Sequence, residues 1–240
     1  MSGAGAAPGS GAAHVPGAAP GSGAAPDAGA PLSARLKVAT RAAHVRAERA
    51  GAMARLLRGE LEGARYARLV RALHALYVAL EAALRARASD PALAPLAAAV
   101  PWRAHALGLD LDALRAAGLD DPHGQPPAAA RAYVARLEAL AATDPARLAA
   151  HAYVRYLGDL AGGQLIAPRV ERAYGLAPGA ATRFYAFGGR EAAAARAGAL
   201  RAALDALPLS PAQADAVVAE ALDAFERHVV LFEEIAADGG

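Results

Sequence analysis

Alanine and leucine supply most of the apolar side chains of this chain, while isoleucine, valine and the aromatics are sparse. Helix formers therefore prevail over the β-branched and aromatic residues that fit a pleated sheet, and the expected class is all-α. At 240 residues the chain can bury one sizeable core, and its length does not demand a second domain. A single multi-helical domain over residues 32–240 is the expectation.

Residues 1–31 are nearly all Ala, Gly, Pro and Ser, with Asp27 the one charge, and hold too little large apolar surface to offset the entropy of ordering. They are expected to form a disordered tail, with no secretory or transit signal and no role for His14. From Leu32 the spacing predicts a helix near Ser33 to Leu57 and a second near Gly63 to Ala88. A Pro-interrupted stretch from Asp90 to Pro101 and a loop-rich region follow, and Ala128 to Ala142 is expected to be helical. Asp144 is placed to cap, and Pro145 to open, a long helix that runs to Tyr174 and stops at Gly175. Gly188 to Leu207 and Pro211 to Ile235 complete the set.

Several function classes are excluded at this level. There is no cysteine, so disulfides, thiolate metal sites and a cysteine nucleophile are ruled out, and a reducing cytoplasmic setting fits. A net charge of +2, with no arginine cluster interleaved with aromatics, argues against nucleic acid. No apolar run approaches a membrane span, so a soluble protein is expected.

In the first helix, Leu36, Ala39, Ala43 and Ala47 share an apolar face, and Lys37, Arg41, His44 and Glu48 fall together on its flank at i, i+4, i+7 and i+11. One stripe thus carries two cations, an imidazole, and a carboxylate one turn beyond it. A neutral imidazole can ligate iron while the carboxylate accepts its other N–H, and the cations can meet the propionates of a haem. The alternative is a solvated charged stripe with His44 at its boundary.

The long helix contains His151-Ala-Tyr-Val-Arg-Tyr-Leu-Gly-Asp-Leu-Ala-Gly-Gly-Gln164. Three glycines in a helix interior cost roughly 3 kcal/mol against alanine, in a chain that otherwise fills such positions with alanine. Without Cβ atoms the backbone can bend and approach a flat ligand. The alternatives are a small-xxx-small contact of Gly158 and Gly162 with another helix, and a surface pair of Arg155 with Asp159. The remaining histidines at 74, 105, 123, 151 and 228 form no metal-ligand spacing, with His74 expected to pack and Trp102 to anchor a loop.

Leu36-Lys-Val-Ala-Thr-Arg-Ala-Ala-His44 resembles the proximal helix of haem oxygenases, and the fourteen residues from His151 to Gln164 resemble their distal-helix signature. The resemblance covers roughly Leu32 to Ile235 and implies a haem b, both substrate and cofactor, sandwiched between the two helices. It implies iron ligation by His44 with Glu48 behind it, and propionates met by Lys37, Arg41, Tyr153 and Arg201. Gly158 and Gly162 would cross the haem, Asp159 would route protons through ordered waters, and Arg155 and Tyr77 would extend that network. The implied reaction uses O2 and electrons from a ferredoxin or flavodoxin with its reductase, and yields biliverdin, carbon monoxide and ferrous iron. A monomer is expected, and a non-catalytic haem carrier or sensor is the alternative. The sequence departs from the family where a second late-helix cation belongs: Ala197 stands there, with Arg196 beside it.

Overall fold

A computed structural model describes residues 29–120 and 123–237. The expected tail therefore lies, but for its last three residues, outside the described residues. Among the described residues ten α-helices carry the fold: α1 Leu32–Glu48, α2 Gly51–Arg58, α3 Gly63–Arg85, α4 Ala94–Ala99, α5 Ala104–Ala116, α6 Ala128–Thr143, α7 Leu148–Ala152, α8 Gly158–Tyr174, α9 Gly189–Asp205 and α10 Pro211–Ala237. No strand occurs among the described residues, and the all-α class holds.

The expected helix Ser33–Leu57 is two helices. At the break, Gly51 has φ +28° and donates its N–H to Glu233 Oε1 at 2.9 Å, and a Cβ there would lie 2.3 Å from the Phe232 carbonyl oxygen. The backbone of α10 crosses at that point, and only glycine permits the approach. α1 and α2 both pack on α10, burying Leu36, Ala43 and Ala47 from the first and Ala52 and Leu56 from the second.

The region expected to be loop-rich contains α5. Leu107, Leu111 and Leu114 bury its face against α3. Its start is marked from outside: the buried Glu81 on α3 accepts the backbone N–H of Arg103 and of Ala104, the latter at 3.0 Å. A carboxylate at a helix N-terminus satisfies free N–H groups and meets the positive end of the dipole. Local sequence could not announce a cap contributed by another helix. Trp102 sits beside this junction, with the Arg85 guanidinium 4.4 Å from its ring centre.

The capping role expected of Asp144 is not observed. Its side chain makes no cap bond; it pairs with Arg147 Nε at 3.0 Å, and its φ of −152° and ψ of 72° lie outside the usual cap conformation. The helix it was expected to open is also not uniform. A short 3-10 turn at Pro145–Arg147 leads into α7, a π-helical turn spans Tyr153–Leu157, and α8 begins at Gly158. Gly175 does end α8, in the left-handed region at φ +63°.

Candidate functional site

α1 and the π-turn with α8 face each other across a cleft, closed at the back by α2 and α10. Two adjoining lobes share His44, Val154, Gly158 and Phe225. The inner lobe is walled by Met53, Leu57, Ile166 and Phe232 and carries Arg155, Asp159 and His228 as polar groups. The outer lobe is edged by Lys37, Tyr153, Arg201 and Ser33. An apolar slot with cations at its open edge suits a flat amphipathic anion.

On the α1 side, the His44 side chain is 47% exposed, and its ring stands edge-on to Phe225 with centroids 5.8 Å apart. Glu48 Oε2 lies 3.7 Å from Nδ1, an ion-pair distance rather than a hydrogen bond. The carboxylate thus sits on the Nδ1 side of the ring. Thr40 donates to the Leu36 carbonyl at 2.8 Å, so the Tyr153 hydroxyl, 3.3 Å away, donates to Thr40. Arg41 is exposed on the same helix and lines neither lobe. Lys37 and Arg201 are therefore brought together with His44, whereas Arg41 and Arg196 are not.

On the α8 side, the glycines divide by role. A Cβ at Gly158 would meet nothing within 4 Å, and one at Gly162 would meet only Ile166 Cδ1 at 3.8 Å. Neither serves a helix-helix contact; both border the cleft. Gly163 packs instead, since a Cβ there would lie 3.1 Å from Tyr185 Cδ1. The π-turn immediately before Gly158 adds a residue to one helical turn, a distortion concentrated at functional sites.

Arg155 and Asp159, which could have been a surface pair, are buried with side chains 11% and 10% exposed. Arg155 Nη2 donates to Asp159 Oδ1 at 2.7 Å, and the Tyr77 hydroxyl donates to Asp159 Oδ2. Burial raises the Asp159 carboxyl above the usual carboxylate range, although Arg155 and Tyr77 pull the other way. Burial and the Asp159 charge also push the Tyr77 hydroxyl up, so it stays a donor. Arg155 Nε is buried with no hydrogen-bond partner in the chain, a donor suited to a bound polar group.

His228 is the polar residue of the inner lobe that sequence reasoning missed, as Ser33 is of the outer one. The position of His228 with Phe225 and Phe232, at i, i+3 and i+7 on α10, marked a helix face. What that face looks onto was decided by packing. His151, within the long glycine-containing segment, points away: Tyr133 bonds its Nδ1 at 2.8 Å, and Glu220 Oε1 lies 3.1 Å from its Nε2. The described residues hold no cluster of three or more His, Cys, Asp or Glu that could bind a metal ion unaided. No helix among them is long and apolar enough to cross a membrane.

Comparison with known proteins gives a consistent answer. A family model described as Heme oxygenase matches residues 30–234. Heme oxygenase 1 of Nostoc sp. is 33% identical over 204 residues, 85% of each chain. Human Heme oxygenase 1 is 33% identical over 208 residues, 85% of this chain and 71% of its own. The solved heme oxygenase of Leptospira interrogans superposes with a TM-score of 0.78 at 32% identity, covering 85% of this chain and all of that one. Heme oxygenase-1 of Synechocystis, solved in complex with heme, gives a TM-score of 0.76 at 32% identity over 85% of this chain and 92% of its own. With the family model spanning most of its length and relatives this similar over 85% of it, the chain belongs to the haem oxygenase family.

Proposed function

We propose that this protein binds haem b between α1 and α8 and opens the porphyrin to biliverdin, carbon monoxide and ferrous iron, using O2 and electrons from a redox partner. The observation that carries this reading is the open space at Gly158 and Gly162 directly across the cleft from His44. No packing need explains glycine at these helical positions, whereas a flat ligand lying against the backbone does. The donor set fits the same ligand: imidazole for iron, and Lys37, Arg201 and Tyr153 for carboxylates at the open edge.

In this reading His44 Nε2 would hold the iron, with Glu48 on the Nδ1 side placed to orient the ring and raise its basicity. Bound haem supplies the iron that activates O2 and is itself the substrate. Gly158 and Gly162 would leave room for O2 on the cleft side of α8, and the walls of Val154, Ile166, Phe225 and Phe232 would limit the access of bulk water. Asp159 would hold or accept a proton: its carboxyl, raised by burial, takes one up more readily than an exposed aspartate. Tyr77 and Arg155 fix that carboxylate from both oxygens. An acidic electron carrier, a ferredoxin or flavodoxin with its reductase, would meet the edge carrying Lys37 and Arg201. A monomer in the cytoplasm, acting through residues 32–240 with the segment 1–31 dispensable, completes the proposal.

The test is to titrate haemin into the protein, record the Soret band, and then supply ascorbate or a ferredoxin system in air. Biliverdin absorbance is expected to replace the Soret band. A stable complex that never converts supports the carrier, and no spectral change on mixing overturns both readings. His44→Ala is expected to retain some haem, lose turnover, and regain it with added imidazole.

A further inference from the structure

His228 lies in α10 and is 2% exposed, walled by the Tyr133 ring edge-on at 5.1 Å and the Phe232 ring at 5.8 Å. Both ring nitrogens have partners, and the chemistry of those partners leaves one protonation state. Nδ1 is 2.7 Å from the Ala224 carbonyl oxygen, which can only accept, so Nδ1 carries a proton. Nε2 is 3.1 Å from Arg155 Nη1, and a guanidinium can only donate, so Nε2 presents its lone pair. The ring is therefore the neutral Nδ1–H tautomer. An imidazolium would turn an N–H towards the guanidinium, and burial with the Arg155 charge indeed depresses its protonation well below the ordinary histidine range.

The consequence runs along the hydrogen bonds. Ala224 accepts from His228, His228 accepts from Arg155 Nη1, Arg155 Nη2 donates to Asp159 Oδ1, and Tyr77 donates to Asp159 Oδ2. One guanidinium thus has its two terminal nitrogens pinned by different elements, one by α10 and one by α8. A salt bridge to Asp159 alone would anchor Arg155 at one terminal nitrogen, leaving Tyr77 as the carboxylate's one partner held from another element.

We infer that His228 is a positioning residue for the proposed proton-routing carboxylate: as a lone-pair acceptor it fixes the Arg155 guanidinium, which in turn sets the orientation of Asp159 towards the cleft. This rests on the proposed function for its catalytic meaning, but the tautomer and the pinned guanidinium belong to the haem-free protein. Nothing in His228 itself need touch the substrate.

The experiment starts with 15N NMR of the haem-free wild type at neutral pH, correlating the His228 ring nitrogens with the ring protons. Protonated Nδ1 and bare Nε2 are expected; the opposite tautomer or the imidazolium overturns the inference, whatever haem does. Two variants follow. In His228→Gln the side-chain oxygen can occupy the Nε2 position and accept from Arg155, whereas His228→Leu fills the space without an acceptor. Slowly rotating, resolved Nη–H signals of Arg155 are expected in the wild type and His228→Gln and lost in His228→Leu. With haem, His228→Leu should lower biliverdin formation about tenfold or more while haem affinity stays within about threefold, and His228→Gln should recover most of the rate. Retained Arg155 signals or full turnover in His228→Leu would refute the positioning role. A failure of haem to bind at all would count against the proposed function and leave the tautomer measurement to decide this one.

Discussion

Asp159 on α8 and Glu220 on α10 are both buried carboxylates, each met by arginine and lying in a network that contains a histidine and a tyrosine, yet they are held in opposite ways. Glu220 accepts from His151 Nε2 at 3.1 Å and from Arg136 Nε at 3.0 Å and Nη2 at 2.5 Å, with Arg147 Nη1 a further 3.5 Å away. Burial pushes its carboxyl up, but those donors outweigh it and bring it down to about 2. Asp159 has one guanidinium and one hydroxyl, and for it burial wins. A carboxylate with donors from three side chains is a permanent anion that ties α10 to α6 and to the start of α7. One with a single cationic partner beside an open cleft retains the capacity to take a proton.

The sharpest way to break this comparison is to remove each carboxylate. Asp159→Ala is expected to lower biliverdin formation roughly a hundredfold or more, the range typical for loss of a proton-transfer group. Glu220→Gln should leave the folded protein's rate within about twofold at low temperature. Equal losses in both variants would erase the distinction.

Stability should show the reverse order. Glu220→Gln leaves His151 and two arginines short of an anion, and urea unfolding is expected to reveal a loss on the order of 2–3 kcal/mol. Because the folded carboxyl lies below its ordinary value of 4.5, this stabilisation is complete above that pH and disappears as pH falls towards about 2. The gap between wild type and Glu220→Gln should therefore narrow on acidification; a gap that widens would contradict the assignment.

The glycines allow a smaller and more pointed test. Gly158 has helical φ and ψ and open space at its Cβ, so Gly158→Ala should stabilise the haem-free protein by up to about 1 kcal/mol while weakening haem binding. Gly163→Ala, pressed against Tyr185, should instead destabilise by about 1–2 kcal/mol. Thermal melts without haem and Soret titrations separate the two, and a loss of stability at Gly158 would restore a packing role for it. Smallest of all, Lys37→Ala is expected to weaken haem binding a few-fold and Arg41→Ala less than twofold, because only the first lines the cleft.

Much of the candidate site was legible in the chain, for reasons that are local. His44, Glu48 and Lys37 are related by helical spacing on α1, and Arg155, Gly158, Asp159 and Gly162 by spacing along the π-turn and α8 that follows it directly. Asp144 failed as a cap locally, by pairing with Arg147, but other failed expectations had their cause elsewhere in the molecule. The first helix broke because α10 crosses at Gly51, and α5 went unseen because its cap is Glu81 from α3. Arg41 shares a stripe with His44 yet stays outside the cleft, since a stripe on a helix is wider than the part its neighbours enclose.

By itself the sequence determined the helical class, from its supply of helix formers, and the two motif-bearing segments, from the cost of three glycines and the spacing around His44. The tertiary structure alone decided which glycine serves packing and which serves the cleft, and that Arg155 and Asp159 are buried rather than solvated. It also decided that His228 joins them while His151 turns to Glu220. Propensity and periodicity act over a few residues and can be read along the chain. Desolvation and hydrogen-bond partnership depend on what other helices bring to the same place, and those contacts exist only once the chain has folded.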